Sequence, residues 1–95
     1  PRSPAITRDL AMVIQEDVPV GDIEKLIKAN GGKYLEEVRL FDIFRGKQVG
    51  EGLKSVAYSV VFRADDRTLQ DSDIQKAMER ILETLQSELN AQLRK

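Results

Sequence analysis

Two hydrophobic periods take turns along this chain, and their order leaves few folds open. From Ile6 to Glu16 the residues alternate, with Leu10, Met12 and Ile14 on one side and Asp9, Ala11, Val13 and Gln15 on the other, the period of a half-buried strand. After Val18-Pro19-Val20-Gly21 the spacing lengthens. Ile23, Leu26, Ile27 and Asn30 make a helical stripe, and Gly31-Gly32 offers a left-handed stop. Period two returns from Leu35 to Arg45 and, after the glycine-rich loop Gly46 to Gly52, from Lys54 to Ala64, where Val56, Tyr58, Val60 and Phe62 share a face. Asp65-Asp66-Arg67-Thr68 breaks that strand, and Asp71 or Ser72 can cap a second helix. Ile74, Met78, Ile81, Leu85 and Leu89 predict that this helix is long, running from about Ser72 to Leu89. Asn90 suits a left-handed exit, and Ala91 to Lys95 is long enough for a short fourth strand.

The resulting order is β-α-β-β-α-β. Two right-handed crossovers turn it into a four-stranded antiparallel sheet with both helices on one face, the α+β ferredoxin-like sandwich. Residues 1–95 make one domain of that size. Burying the large faces puts Leu10, Met12, Ile14, Val56, Tyr58, Val60 and Phe62 under the helices, with Phe41 and Ile43 joining them. The other face stays open. It carries Asp9, Ala11 and Val13, then Leu40, Asp42 and Phe44, then Ser55, Ala57, Ser59, Val61 and Arg63.

That open face holds the most suggestive chemistry. Asp42 and Phe44 stand two residues apart, beside a shallow floor of Ala11, Ser55, Ala57 and Ser59. Such a pair suits a flipped-out purine, because the ring can stack on the base while the carboxylate accepts from its edge. From pattern alone two occupants of the face remain open: single-stranded RNA, and another domain of a longer protein.

Other chemistries find little support. There is no cysteine and no histidine, so thiol chemistry and the commonest metal ligand and general base are missing, and no metal site is expected. Apolar runs are too short to span a bilayer. The chain opens Pro-Arg-Ser-Pro without a signal peptide, so it is expected to be an excised domain of a cytoplasmic protein. The formal net charge is -1, which excludes a generally basic nucleic-acid binder. Between Arg39 and Arg67, however, six basic residues face four acidic ones.

Glycines followed by Lys54-Ser55 invite a phosphate-loop reading, but Leu53 separates Gly52 from Lys54 and the segment enters a strand, not a helix. An acylphosphatase-type enzyme would need a phosphate cradle after the first strand. Gln15-Glu16-Asp17-Val18 is acidic there and would repel phosphate. Glu36-Glu37 and Asp65-Asp66 are adjacent carboxylates that read as solvated turns or strand ends. A small-molecule-binding or domain-docking regulatory module of the same topology is the rival function, and it leaves Asp42 and Phe44 without a reason.

Several segments carry a family resemblance. They are Arg8-Asp9-Leu10-Ala11, Leu40-Phe41-Asp42-Ile43-Phe44-Arg45-Gly46, Glu51-Gly52-Leu53-Lys54-Ser55-Val56-Ala57-Tyr58-Ser59, Phe62-Arg63, and Arg67-Thr68-Leu69 with Asp71. In this order and spacing the chain resembles, over essentially its whole length, the C-terminal ferredoxin-fold anticodon-binding domain of bacterial phenylalanyl-tRNA synthetase beta subunits. The resemblance implies a non-catalytic domain that binds the anticodon stem-loop of phenylalanine tRNA and helps to position it for aminoacylation. It implies as partners the rest of the beta subunit and the alpha subunit, in an alpha2beta2 heterotetramer. ATP and Mg²⁺ would be used in the alpha subunit, with no cofactor in this domain. It further implies that Ala11, Asp42, Phe44 and Ser55 contact the first anticodon base, a guanine. The family often has Tyr where this chain has Phe44, so a hydroxyl contact is lost while stacking remains. Arg8, Arg45, Lys54 and Arg63 are the candidate phosphate contacts near that face.

Overall fold

The computed structural model describes residues 2–94. Pro1, at the start of the expected linker, and Lys95, at the end of the expected fourth strand, lie outside the described residues. The strands are β1 (Ile6–Gln15), β2 (Leu35–Phe44), β3 (Leu53–Phe62) and β4 (Gln92–Arg94). The helices are α1 (Val20–Asn30) and α2 (Asp71–Leu89). The sheet order is β2-β3-β1-β4 with every neighbouring pair antiparallel, which is the expected ferredoxin-like arrangement.

β1 and β3 pair over ten positions without interruption, from Ile6 opposite Phe62 to Gln15 opposite Leu53. Residues opposite one another share a face, so Leu10, Met12 and Ile14 join Val56, Tyr58, Val60 and Phe62 beneath the helices. Ile23 and Ile27 of α1 and Ile74, Ile81 and Leu85 of α2 close the core from above. Tyr58 is fully buried, and its hydroxyl donates to the Val20 carbonyl at 3.3 Å and contacts Glu24 Oε2 at 3.5 Å. Burial and then the Glu24 carboxylate push its pKa well up.

The helix ends differ from the expectation in instructive ways. Only Gly32 is left-handed, with φ of 77°. Gly31 keeps an ordinary helical conformation, and its need is for space, because a Cβ there would overlap the Leu35 side chain. At the start of α2 the cap is Gln70, not Asp71 or Ser72, and the Gln70 backbone N–H donates to Asp73 Oδ2 at 2.8 Å. A carboxylate there also complements the positive end of the helix. Asn90 makes the expected left-handed exit with φ of 53°.

β2 departs most from simple alternation. Its register on β3 shifts twice, between Leu35 and Glu37 and between Leu40 and Asp42. Each shift is a bulge in which two residues face one partner. The second bulge changes which side is which. Leu40 pairs with Tyr58 and packs against the core, whereas Asp42 pairs with Ala57 and Phe44 with Ser55. Leu40 therefore does not lie on the open face. Alternation predicts Phe41 and Ile43 in the core, but they are 54% and 39% exposed. Phe41 is the extra residue of the bulge, and Ile43 lies near the end of an edge strand, with a neighbouring strand on one side only.

Candidate nucleic-acid interface

The open face of the sheet is ordered in cross-strand rows. One row runs Arg94, Ala11, Ala57, Asp42 across β4, β1, β3 and β2, and the next runs Gln92, Val13, Ser55, Phe44. Ala11, Asp42, Phe44 and Ser55 therefore all fall within two adjacent rows. Strands lie about 4.8 Å apart, so the four residues frame a patch roughly two strand spacings, about 10 Å, wide. Ala11 and Ala57 supply its low floor, and Asp42 and Phe44 rise along its β2 side.

The bulge before Asp42 is what makes this possible. It sends Leu40 inward and still leaves Asp42 and Phe44 outward. Phe44 is 46% exposed. Gly46, two residues on, has φ of 145°, a conformation that glycine adopts without strain, and this turns the chain away just past the ring. The Asp42 side chain is exposed and makes no hydrogen bond or ion pair with the described residues. Its oxygens are open to a donor pair from outside. Ser55 is buried at 8% exposure by its neighbours, yet its Oγ is engaged from above, accepting from Arg94 Nη1 at 3.2 Å.

Arg94 is the residue that sequence reasoning misses. It stands opposite Ala11 in β4, and its side chain reaches to the Ser55 hydroxyl of β3. A cation thus lies across the patch floor from the Asp42 carboxylate. The alternation Gln92, Leu93, Arg94 carries the signal, since Leu93 packs inward against the core, but three residues give no register until β4 is set beside β1. Arg39, opposite Ser59 on the same face, is a second cation next to Asp42 along the strand.

The four basic residues expected near the face are dispersed. Arg8 pairs with Val60 and so stands on the helix side of the sheet, where its Nη2 meets Asp71 Oδ1 at 2.6 Å. Lys54, opposite Ile14, also faces the helix side. Only 4% exposed, its ammonium donates to the carbonyls of Glu16 at 3.0 Å and Val18 at 2.5 Å. Arg63 is eight residues along the chain from Ser55, a distance of about 26 Å in extended chain. It bonds both Glu36 oxygens at 3.2 Å and the Ser3 carbonyl. Only Arg45, directly after Phe44, lies at the patch end of the sheet. Its guanidinium bonds Glu16 through Nε and through Nη2, the latter at 3.0 Å from Oε2, and this pairing holds the Glu16 carboxyl below the usual carboxylate range.

No group of three or more His, Cys, Asp or Glu side chains among the described residues is arranged to hold a metal ion. No described helix is long and apolar enough to cross a membrane.

Comparison with known proteins agrees with this architecture. Residues 1–94 match the family described as "Ferredoxin-fold anticodon binding domain". The chain is 48% identical over 94 residues to the phenylalanine–tRNA ligase beta subunit of Clostridium tetani, covering 99% of this chain and 12% of that protein. It is 46% identical to the Listeria monocytogenes beta subunit, covering 99% and 12%, and 47% identical to that of Symbiobacterium thermophilum, covering 99% and 10%. The chain thus spans about an eighth of the length of these curated relatives. It belongs to the ferredoxin-fold anticodon-binding domain family.

Proposed function

We propose that this anticodon-binding domain reads the first anticodon base of phenylalanine tRNA on its open sheet face. It would do so as a non-catalytic part of a phenylalanine–tRNA ligase beta subunit. The observation that carries the reading is the convergence of Ala11, Asp42, Phe44 and Ser55 on two adjacent rows of that face, with Asp42 unpartnered among the described residues and Phe44 exposed.

Guanine offers two donors on one edge, N1–H and the 2-amino group, and the free carboxylate of Asp42 accepts both. Adenine presents an acceptor at N1, which the carboxylate repels. The Phe44 ring supplies the stacking surface, worth roughly 1–3 kcal/mol per base. Ala11 and Ala57 leave the base room to lie flat, and Ser55 and Arg94 offer a hydroxyl and a cation across the floor. Arg45, and not Arg8, Lys54 or Arg63, is the phosphate contact best situated for this base. The domain holds none of the ligase chemistry. In the whole ligase, ATP, Mg²⁺ and phenylalanine would be handled in the alpha subunit of an alpha2beta2 assembly in the cytoplasm.

An NMR titration of the labelled domain with the anticodon stem-loop tests the reading, run beside a loop carrying adenine at the first anticodon position. Shifts centred on Ala11, Asp42, Phe44 and Ser55, and stronger with guanine, are expected. Shifts confined to the helix side, or equal responses to both loops, would refute it.

A further inference from the structure

Beside Phe44 the sheet ends in an ion pair that base reading alone does not explain. In the RNA-free structure the guanidinium of Arg45, the next residue, is already engaged along one edge, where Nε and Nη2 donate to the two Glu16 carboxylate oxygens. Glu16 does not depend on Arg45 for its own position. Its backbone N–H donates to the Gly52 carbonyl at 2.8 Å, its carbonyl accepts from the buried Lys54 ammonium at 3.0 Å, and its carboxylate lies 3.7 Å from the same ammonium. A fixed anion thus stands between a buried cation and a half-exposed one. The pair borders an open groove of about 440 Å³ whose far wall is the 46–53 loop. The shape of that loop is set by Gly46, Gly50 and Gly52 at φ of 145°, 118° and 74°.

A guanidinium held by two carboxylate oxygens has the geometry with which arginine grips phosphate. Resting on the base-reading function proposed above, we infer that Glu16 is an internal stand-in for an RNA phosphate. It occupies Arg45 until the backbone of the nucleotide stacked on Phe44 enters the groove, whereupon the guanidinium passes from carboxylate to phosphate and Glu16 keeps Lys54 as its counter-ion. No covalent bond changes. The handover sets a threshold against RNA that offers phosphates but no base for Phe44, since a phosphate alone must displace a carboxylate already in place. This is specificity by a built-in competitor.

The test compares the wild type, Glu16→Gln, Arg45→Gln and the double variant for binding to labelled anticodon stem-loops with guanine or adenine in the first position, over a salt series. Glu16→Gln keeps every backbone contact of Glu16 and is expected to tighten binding of both loops by about fivefold, the scale of an exposed ion pair. The guanine-to-adenine ratio should not change. Arg45→Gln should weaken binding and lower the slope of log K against log salt by about 0.7–0.9. In the double variant the gain from Glu16→Gln should vanish. Asp17→Asn, which removes a neighbouring exposed charge, should give no gain that depends on Arg45. Weaker or unchanged binding by Glu16→Gln, or a gain that survives without Arg45, would overturn the handover. A wild type that binds both loops equally would instead overturn base reading, and the comparison among variants would still decide the role of Glu16.

Discussion

Replacing Lys54 with Met separates two roles that a lysine beside a binding face could have. The stem of Lys54 fills a buried position between Leu53 and Ser55 on β3, and Met preserves most of that volume. The substitution removes the ammonium and with it two hydrogen bonds, to the Glu16 and Val18 carbonyls. Bonds from a charged donor contribute about 1.5–3 kcal/mol each, and carbonyls left unpaired cost about 1–3 kcal/mol each when water cannot reach them. Here Glu16 and Asp17 are exposed and Val18 is half-buried, so water can recover part of that loss, and the variant avoids the cost of burying a cation. A net destabilisation of about 2 kcal/mol results. With an unfolding entropy of about 2.1 cal/mol/K per residue, a chain of this length has about 200 cal/mol/K in all, so the melting temperature should fall by about 10 °C. Urea denaturation gives the free energy, and the slope of RNA affinity against salt should stay at its wild-type value. A stability change within about 0.5 kcal/mol of zero, which is the range of an ordinary surface substitution, would refute the pinning role. A salt slope lower by about 0.9 would show that Lys54 reaches a phosphate after all.

Asp42→Ala should reduce the preference for guanine over adenine by about 1–3 kcal/mol, measured as the ratio of dissociation constants, and leave thermal stability near wild type because the carboxylate has no partner among the described residues. Phe44→Ala should weaken both loops together by about 1–3 kcal/mol, and Phe44→Tyr should retain that stacking, as fluorescence titration can show. Stability should also bend at both ends of the pH scale. The carboxyls of Glu16, Glu36 and Asp73 are held low, by Arg45, by Arg2 and by the Gln70 backbone N–H respectively. Their contribution is therefore present above the ordinary carboxylate range and is lost as pH falls through and below it. Tyr58 shifts the other way, so its contribution is intact below the ordinary tyrosine value of about 10 and is lost as pH rises beyond it. Urea midpoints from about pH 3 to about pH 11 would trace both flanks, and Tyr58→Phe should remove most of the alkaline one.

The topology is legible in the chain because every element except β4 has its own period, and because the two antiparallel partners β1 and β3 run ten residues without a shift. Leu10, Met12, Ile14, Val56, Tyr58, Val60 and Phe62 are buried for that reason. Alternation cannot count through a bulge. Leu40, Phe41 and Asp42 contain no glycine or proline to announce one, so the period sets Leu40 on the wrong face and Phe41 in the core. Asp42 and Phe44 escape the error because both lie after the bulge, on the side fixed by their pairing with Ala57 and Ser55. The partners of the basic residues are hidden for a different reason. Arg8 with Asp71, Arg45 with Glu16 and Arg63 with Glu36 are 63, 29 and 27 residues apart in the chain, and charge counting carries no information about contacts at that range.

The same bulges bear on which surface of the sheet can take a partner. β2 is an edge strand, and a flat, regular edge of ten residues would be a template for adding another strand. Two register shifts interrupt its ladder, and Glu36, Glu37, Arg39 and Asp42 place charge along it, features that oppose edge-to-edge pairing. The opposite edge, β4, is only three residues long. With both edges blunted and one face under the helices, the open face is the broad surface of the sheet left for a partner. Across its two central rows that face offers small residues, one exposed ring, one carboxylate without a partner among the described residues, and one arginine. A protein docking there would have to bury the free Asp42 carboxylate against a matched donor, which costs several kcal/mol when the match fails. An unpaired nucleotide brings its own donors on a flat edge, with a phosphate that stays in solvent. The proposed base reading therefore predicts that a nucleotide, and not a second protein surface, is the partner of this face, and the Asp42→Ala comparison of guanine and adenine loops is the measurement that decides it.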